Sequence, residues 1–196
     1  MVIVNTINGL FGAEMTSLMN FPAVFKRNFE QRRLLKVISG LNNFNRESVR
    51  LISTAAKVGG ADLLDIACDP TLVSLAIEES GLPVCVSAVD PDLFPAAVRA
   101  GASMIEIGNY DSFYPQGRTF SAAEVVAIAS QTRELLPNSF LSVTVPHILP
   151  LDQQAQLAIE LVDAKVDLIQ TEGGTSARPF SSGIQGLIEK ATPTLA

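Results

Sequence analysis

The chain has 196 residues, is 47% hydrophobic and carries a net charge of -6 with a pI near 4.8. That length and apolar content suffice for one core and do not call for two domains. The acidic balance excludes a polyanion held by general electrostatics, so no nucleic-acid partner is expected.

Two cysteines, Cys68 and Cys85, lie inside apolar runs without C-x-x-C spacing and read as buried, reduced thiols. With a single histidine in the chain, no zinc set can be assembled from them, and no metal is expected. No apolar run reaches the roughly 18 residues of a membrane span. The N-terminus lacks the basic start and unbroken apolar stretch of a secretory signal, so an intracellular protein off the membrane is expected.

Residues 1–20 are weakly patterned, with Met15 and Met19 as alternative starts, and read as a weakly ordered extension. A short helix is predicted over 20–33, where Phe21, Phe25 and Phe29 recur every fourth position as an apolar lid. Strand one follows at 34–41. Asn45 then caps a helix that begins at Arg46 and ends at Gly59-Gly60. Strand two, 63–68, and strand three, 83–89, both run into Asp-Pro, at Asp69-Pro70 and Asp90-Pro91. Asp accepts from a free helix N–H and Pro takes the first helical position there.

Strand four, 104–108, leads into a long loop, 109–120, whose Tyr110, Phe113 and Tyr114 are expected at the surface. Ser121 and Glu124 form a capping box for the next helix, with Val125, Ile128, Ala129 and Thr132 inward. Strand five, 140–145, is followed by His147 and by a helix from Asp152 that turns Leu157, Leu161 and Val162 inward. Strand six, 167–171, ends in Glu172-Gly173-Gly174-Thr175-Ser176, and a last helix is predicted over 184–191.

One segment recurs through this order: a helix end, a small-residue turn, then a strand. Gly59-Gly60-Ala61-Asp62-Leu63, Ala100-Gly101-Ala102-Ser103-Met104 and, less regularly, Ala164-Lys165-Val166-Asp167-Leu168 are its copies. Strands alternating with helices give a parallel sheet with right-handed crossovers, either open or closed into a barrel. An open parallel sheet is covered on both faces, so its strands should be apolar throughout. These are not: Lys36, Asp65, Ser87, Glu106, Thr144 and Gln170 each alternate with aliphatic neighbours. The fold class is therefore α/β, a TIM-type (β/α) barrel over 21–196 whose interior takes these polar residues, with Lys36 pairing Asp65 or Glu106. No Gly-x-Gly-x-x-Gly follows a strand, which disfavours a dinucleotide-binding sheet. A full barrel holds eight units in ~250 residues, and six are visible here.

Lys36-Val37-Ile38-Ser39-Gly40-Leu41-Asn42-Asn43-Phe44, Met104-Ile105-Glu106-Ile107-Gly108-Asn109, Ser142-Val143-Thr144-Val145-Pro146-His147 and Gln170-Thr171-Glu172-Gly173-Gly174-Thr175-Ser176 carry a resemblance. Over about residues 34–196 the chain resembles the hypothetical chloroplast reading frame twenty-three family of cyanobacteria and plastids. The resemblance implies an aldolase-type barrel, two further units beyond strand six, and a cyanobacterial cytoplasm or plastid stroma as its place. It implies no settled activity.

Barrel chemistry gathers at the C-terminal ends of strands. That geometry selects Glu172 and His147 as acid or base, and Asn42, Asn109, Gly173, Gly174, Thr175 and Ser176 as ligand-binding residues. The two glycines let backbone N–H groups line up for an anion, while an imidazole directly after a strand is suited to general acid or base work. Asn43, Tyr110 and Asp111 occupy neighbouring strand ends. Arg118 and Arg178 are candidate anion partners that read more readily as solvated. Asp69 and Asp90 read as helix caps rather than a cation site, and Lys36 reads as an interior ion pair rather than an imine-forming amine.

Three functions stay open. The first is a barrel that binds or acts on a small anionic metabolite, phosphorylated or not. The second is a regulatory or assembly scaffold using the 109–120 loop, and the third is a flavin-binding barrel. The cofactor is undetermined, and a homo-oligomer stays open as well.

Overall fold

In the computed structural model, residues 23–172 and 181–186 are described. The expected extension over residues 1–20, together with Phe21, lies outside them. The order is α1 (Ala23–Glu30), β1 (Lys36–Gly40), α2 (Arg46–Val58), β2 (Leu63–Ala67), α3 (Pro70–Ser80) and β3 (Val84–Ala88), then α4 (Phe94–Arg99) and β4 (Met104–Ile107). After these come α5 (Ala122–Leu135), β5 (Phe140–Val145), α6 (Leu151–Asp163) and β6 (Leu168–Thr171). The strands form one parallel sheet in sequence order, β1 to β6, the arrangement that successive right-handed crossovers produce.

Local chemistry sets the boundaries. The Asn45 carboxamide accepts from Ser48 N and opens α2, and the Asp69 carboxylate accepts from Thr71 N and Leu72 N to open α3. Asp90 likewise caps a 3-10 turn at Pro91–Leu93 through Asp92 N. Both Asp-Pro sites are thus occupied as caps. At α5 the capping box is half made: Ser121 Oγ accepts from Glu124 N at 3.2 Å, while the Glu124 carboxylate turns to Arg118. The expected inward face of α6 is corrected at one position. Leu157 and Leu161 are buried but Val162 is 63% exposed, because it lies about 100° round the helix from Leu161.

The strands separate two cores by their two-residue period. Leu64, Ile66, Val84, Val86, Ile105, Ile107, Leu141 and Val143 face the helices and join the main cluster. On the opposite face the first row, Leu63, Cys85, Met104 and Phe140, is closed from below by Phe25 of α1, with Phe29, Leu34 and Leu168 alongside. Phe25 and Phe29 of the Phe stripe therefore close the floor of the barrel. Above that floor the interior becomes polar.

Candidate functional site

Two residues further along each strand from the floor, Asp65, Glu106, Ser142 and Gln170 converge with Lys36. The ammonium lies between Glu106 and Asp65, 3.2 Å from Asp65 Oδ2, and donates to Gln170 Oε1 at 3.2 Å. Gln170 Nε2 donates to Glu106 at 2.6 Å and to Ser142 Oγ, and the Ser87 hydroxyl donates to Asp65. Asp65 Oδ2 meets the ammonium off hydrogen-bond alignment, so that hold is chiefly Coulombic. Burial alone would push Lys36 down, but the Glu106 and Asp65 charges outweigh it and keep the amine protonated well above the usual lysine range. A nucleophilic, neutral Lys36 is disfavoured in this setting. Burial and the Glu106 charge push Asp65 up against the pull of Lys36.

Ser142 is the member of this layer that sequence reading missed. Thr144, expected among the interior polars, lies one row nearer the rim and is buried against Gly108. Asp65, Cys85 and Glu106 also place ligand atoms within 4.8 Å of one another. The Lys36 ammonium already supplies positive charge between the two carboxylates, so a cation there would have to displace it.

At the C-terminal ends of the strands, Glu172 and His147 are brought into contact. Glu172 is 3% exposed. Its Oε2 accepts from His147 N at 2.9 Å, His147 Nδ1 at 2.8 Å and the Tyr114 hydroxyl at 2.9 Å, while Oε1 accepts from Asp111 N at 2.9 Å. A carboxylate with this many donors is an anchor more than a mobile base. Facing it, Nδ1 must carry a hydrogen, which makes Nε2 the basic nitrogen of the neutral ring. The segment carrying His147 is fixed in turn by buried Gln154, whose Nε2 donates to Leu149 O at 2.8 Å and His147 O at 3.3 Å.

The long loop after β4 reaches over this pair, and its aromatic residues are not the surface patch expected of them. Tyr110 is fully buried, 4.7 Å from Phe120 between ring centroids, and Phe113 meets the same ring edge-on at 5.5 Å. Tyr114 packs edge-on to His147 at 5.3 Å. Burial and the Glu172 charge push its phenol up, so it remains a donor. The apolar rings turn inward because the loop folds into two 3-10 turns, Tyr110–Ser112 and Tyr114–Gln116, over the end of the sheet. Arg118 is not aimed at an anion: it pairs with Glu124 and lies 4.2 Å over the Phe120 ring.

Asn42 and Asn109 line one cleft of about 610 Å³ between the ends of β1 and β4, together with Ser39, Asn43, Asp111 and Ser112. A Cβ at Gly108 would collide with the Thr144 side chain, and Asn109 follows in the left-handed region at φ 62°. Asp111 joins the two parts of the rim, lining the cleft while its N–H holds Glu172. The expected anion turn Gly173, Gly174, Thr175 and Ser176, with Arg178, lies outside the described residues, as does most of the predicted last helix. No helix among the described residues is long and apolar enough to cross a membrane.

A family model described as "Protein of unknown function (DUF561)" matches residues 19–196. The protein called uncharacterized protein ycf23 in Cyanophora paradoxa is 52% identical over 169 residues, covering 85% of this chain and 69% of that one. Its namesakes in Pyropia yezoensis and Porphyra purpurea are 40% and 36% identical, covering 90% and 91% of this chain and 64% and 67% of theirs. The chain thus spans about two thirds of the length of these relatives. Among solved structures, a putative deoxyribose-phosphate aldolase from Toxoplasma gondii superposes with a TM-score of 0.56 at 15% identity, covering 86% of this chain and 70% of that one. A protein described as "QR15, an Aldolase" gives 0.54 at 18%, covering 81% and 74%. At such identities the likeness concerns the fold, a six-stranded part of an aldolase-type barrel.

Proposed function

This chain belongs to the DUF561 family, whose curated relatives carry the name ycf23, and from that premise we propose that it binds and transforms a small anionic metabolite at its strand ends. His147 is the proton-transferring group and Glu172 the residue that orients it. The observation that carries this reading is the carboxylate at 2.8 Å from Nδ1, which fixes ring and tautomer together. A general acid or base needs that positioning first and a suitable pKa second. Gly173, Gly174, Thr175 and Ser176 follow Glu172 directly in the chain and are the residues we assign to the anionic group. The protein would act in a cyanobacterial cytoplasm or plastid stroma.

The test is a thermal-shift screen of phosphorylated aldoses and keto acids against the purified chain. Each hit is then followed by proton NMR for exchange of a carbon-bound hydrogen in heavy water. His147→Ala is expected to lower the exchange rate by about 10²-fold or more. Glu172→Gln, which keeps the volume but weakens the hold on Nδ1, should lose less. Exchange at the wild-type rate in His147→Ala overturns the assignment.

A further inference from the structure

We infer that the cleft between the β1 and β4 ends takes the uncharged, hydroxyl-bearing part of the metabolite, a polyol or sugar segment, an assignment that rests on the functional reading above. Among the described residues its polar lining is made of amides and hydroxyls, Asn42, Asn43, Asn109, Ser39 and Ser112, with Asp111 the one ionisable residue. A hydroxyl donates and accepts at once, as amides and serines do, so the lining matches a row of hydroxyls. An anion fits badly here, because no lysine or arginine is among the described residues that line the cleft. Leu41 and Pro115 add apolar surface for the C–H face of such a chain.

Two features show the lining to be set in place. Asn43 Nδ2 donates to Ser39 Oγ at 2.8 Å and Ser48 Oγ at 2.9 Å, while its Oδ1 accepts from Asn45 N at 3.3 Å, so that this amide is held from three sides. Asn109 sits in the left-handed region, and its Nδ2 is buried with no hydrogen-bond partner. Leaving such a donor unmet costs about 1–3 kcal/mol. A left-handed backbone beside an unmet donor recurs at binding positions. Asp111, shared between the cleft and the Glu172 anchor, places the occupant of the cleft next to the proton-transferring histidine.

The experiment is an NMR titration of the ¹⁵N-labelled chain with ribitol, sorbitol, glycerol 3-phosphate and inorganic phosphate, following the side-chain amides of Asn42, Asn43 and Asn109. Ribitol or sorbitol should shift Asn109 and Asn43 saturably, and inorganic phosphate should not. Asn109→Ala should weaken polyol binding at least tenfold. Asn109→Gly, which removes the amide but suits the left-handed backbone, should weaken it equally, separating recognition from folding. Absence of a saturable polyol shift, or binding retained in both Asn109 variants, overturns the assignment. Polyol binding without any hydrogen exchange in the screen above would sink the catalytic role of His147 and leave the cleft assignment standing.

Discussion

Lys36 shows how one residue ties three strands into the barrel interior. It comes from β1, contacts Asp65 of β2 and Glu106 of β4, and reaches Gln170 of β6. Removing the cation leaves two buried carboxylates facing each other, and breaking a buried pair from one side costs roughly 3–5 kcal/mol. Lys36→Met should therefore lower the denaturant midpoint by that equivalent, and adding Glu106→Gln in the same chain should recover part of it. A Lys36→Met chain as stable as the wild type would show that the triad is not structural. This layer was legible in the sequence because a charged residue stands out against alternate aliphatic neighbours. The contact between Glu172 and His147 was legible only as two strand-end positions. Tyr114 was not: its hydroxyl meets Glu172 across 58 residues of sequence, a separation that no local pattern encodes.

The repeated turn-and-strand unit has a second use at the level of elements. Asp62, just before β2, accepts from Leu35 N at 2.7 Å, and Asp167, at the matching place before β6, accepts from Leu141 N at 2.9 Å. Each aspartate thereby pins the entry of the strand beside its own. Its neighbours complete the fastening: Asn28 of α1 donates to Asp62 at 2.6 Å, and Arg133 of α5 pairs with Asp167 at 2.7 Å. The repeat itself can be read from small residues and aliphatic alternation, whereas this bonding depends on which strand lies alongside. Helix α1 is anchored in the same region and inserts Phe25 into the floor, where it is 1% exposed among Leu63, Cys85, Met104 and Phe140. Emptying that position removes both transfer energy and contacts, so Phe25→Ala should cost about 3–5 kcal/mol in chemical unfolding. A loss below about 1 kcal/mol would mean that α1 is a loosely attached flap rather than the floor.

At the scale of the whole molecule, the two ends of the sheet differ from its middle. Strands β2 to β5 are buried along their full length, while β1 and β6 are only partly covered and Ile38 is 36% exposed. Among the described residues neither outer edge has a strand beside it. The helices next to those edges match: Leu51 and Val58 on α2, and Leu151, Ile159 and Val162 on α6, are large apolar residues left outside. The outward side chains on α6 recur at helical spacing, as on a face that packs against a neighbouring helix. Two further strand and helix units, the number that closes a barrel of this class, would pair both edges and cover both helices. The longer relatives have room for them. Hydrogen exchange tests this at amide level: amides of β1 and β6 should exchange at least 100-fold faster than those of β3 and β4. Extending the chain with the residues that the longer relatives carry outside the matched region should slow the edge amides toward the central rate. Edge amides as protected in the chain as it stands as those of β3 would mean that the edges are already paired, and the exposed faces of α2 and α6 would then need another explanation.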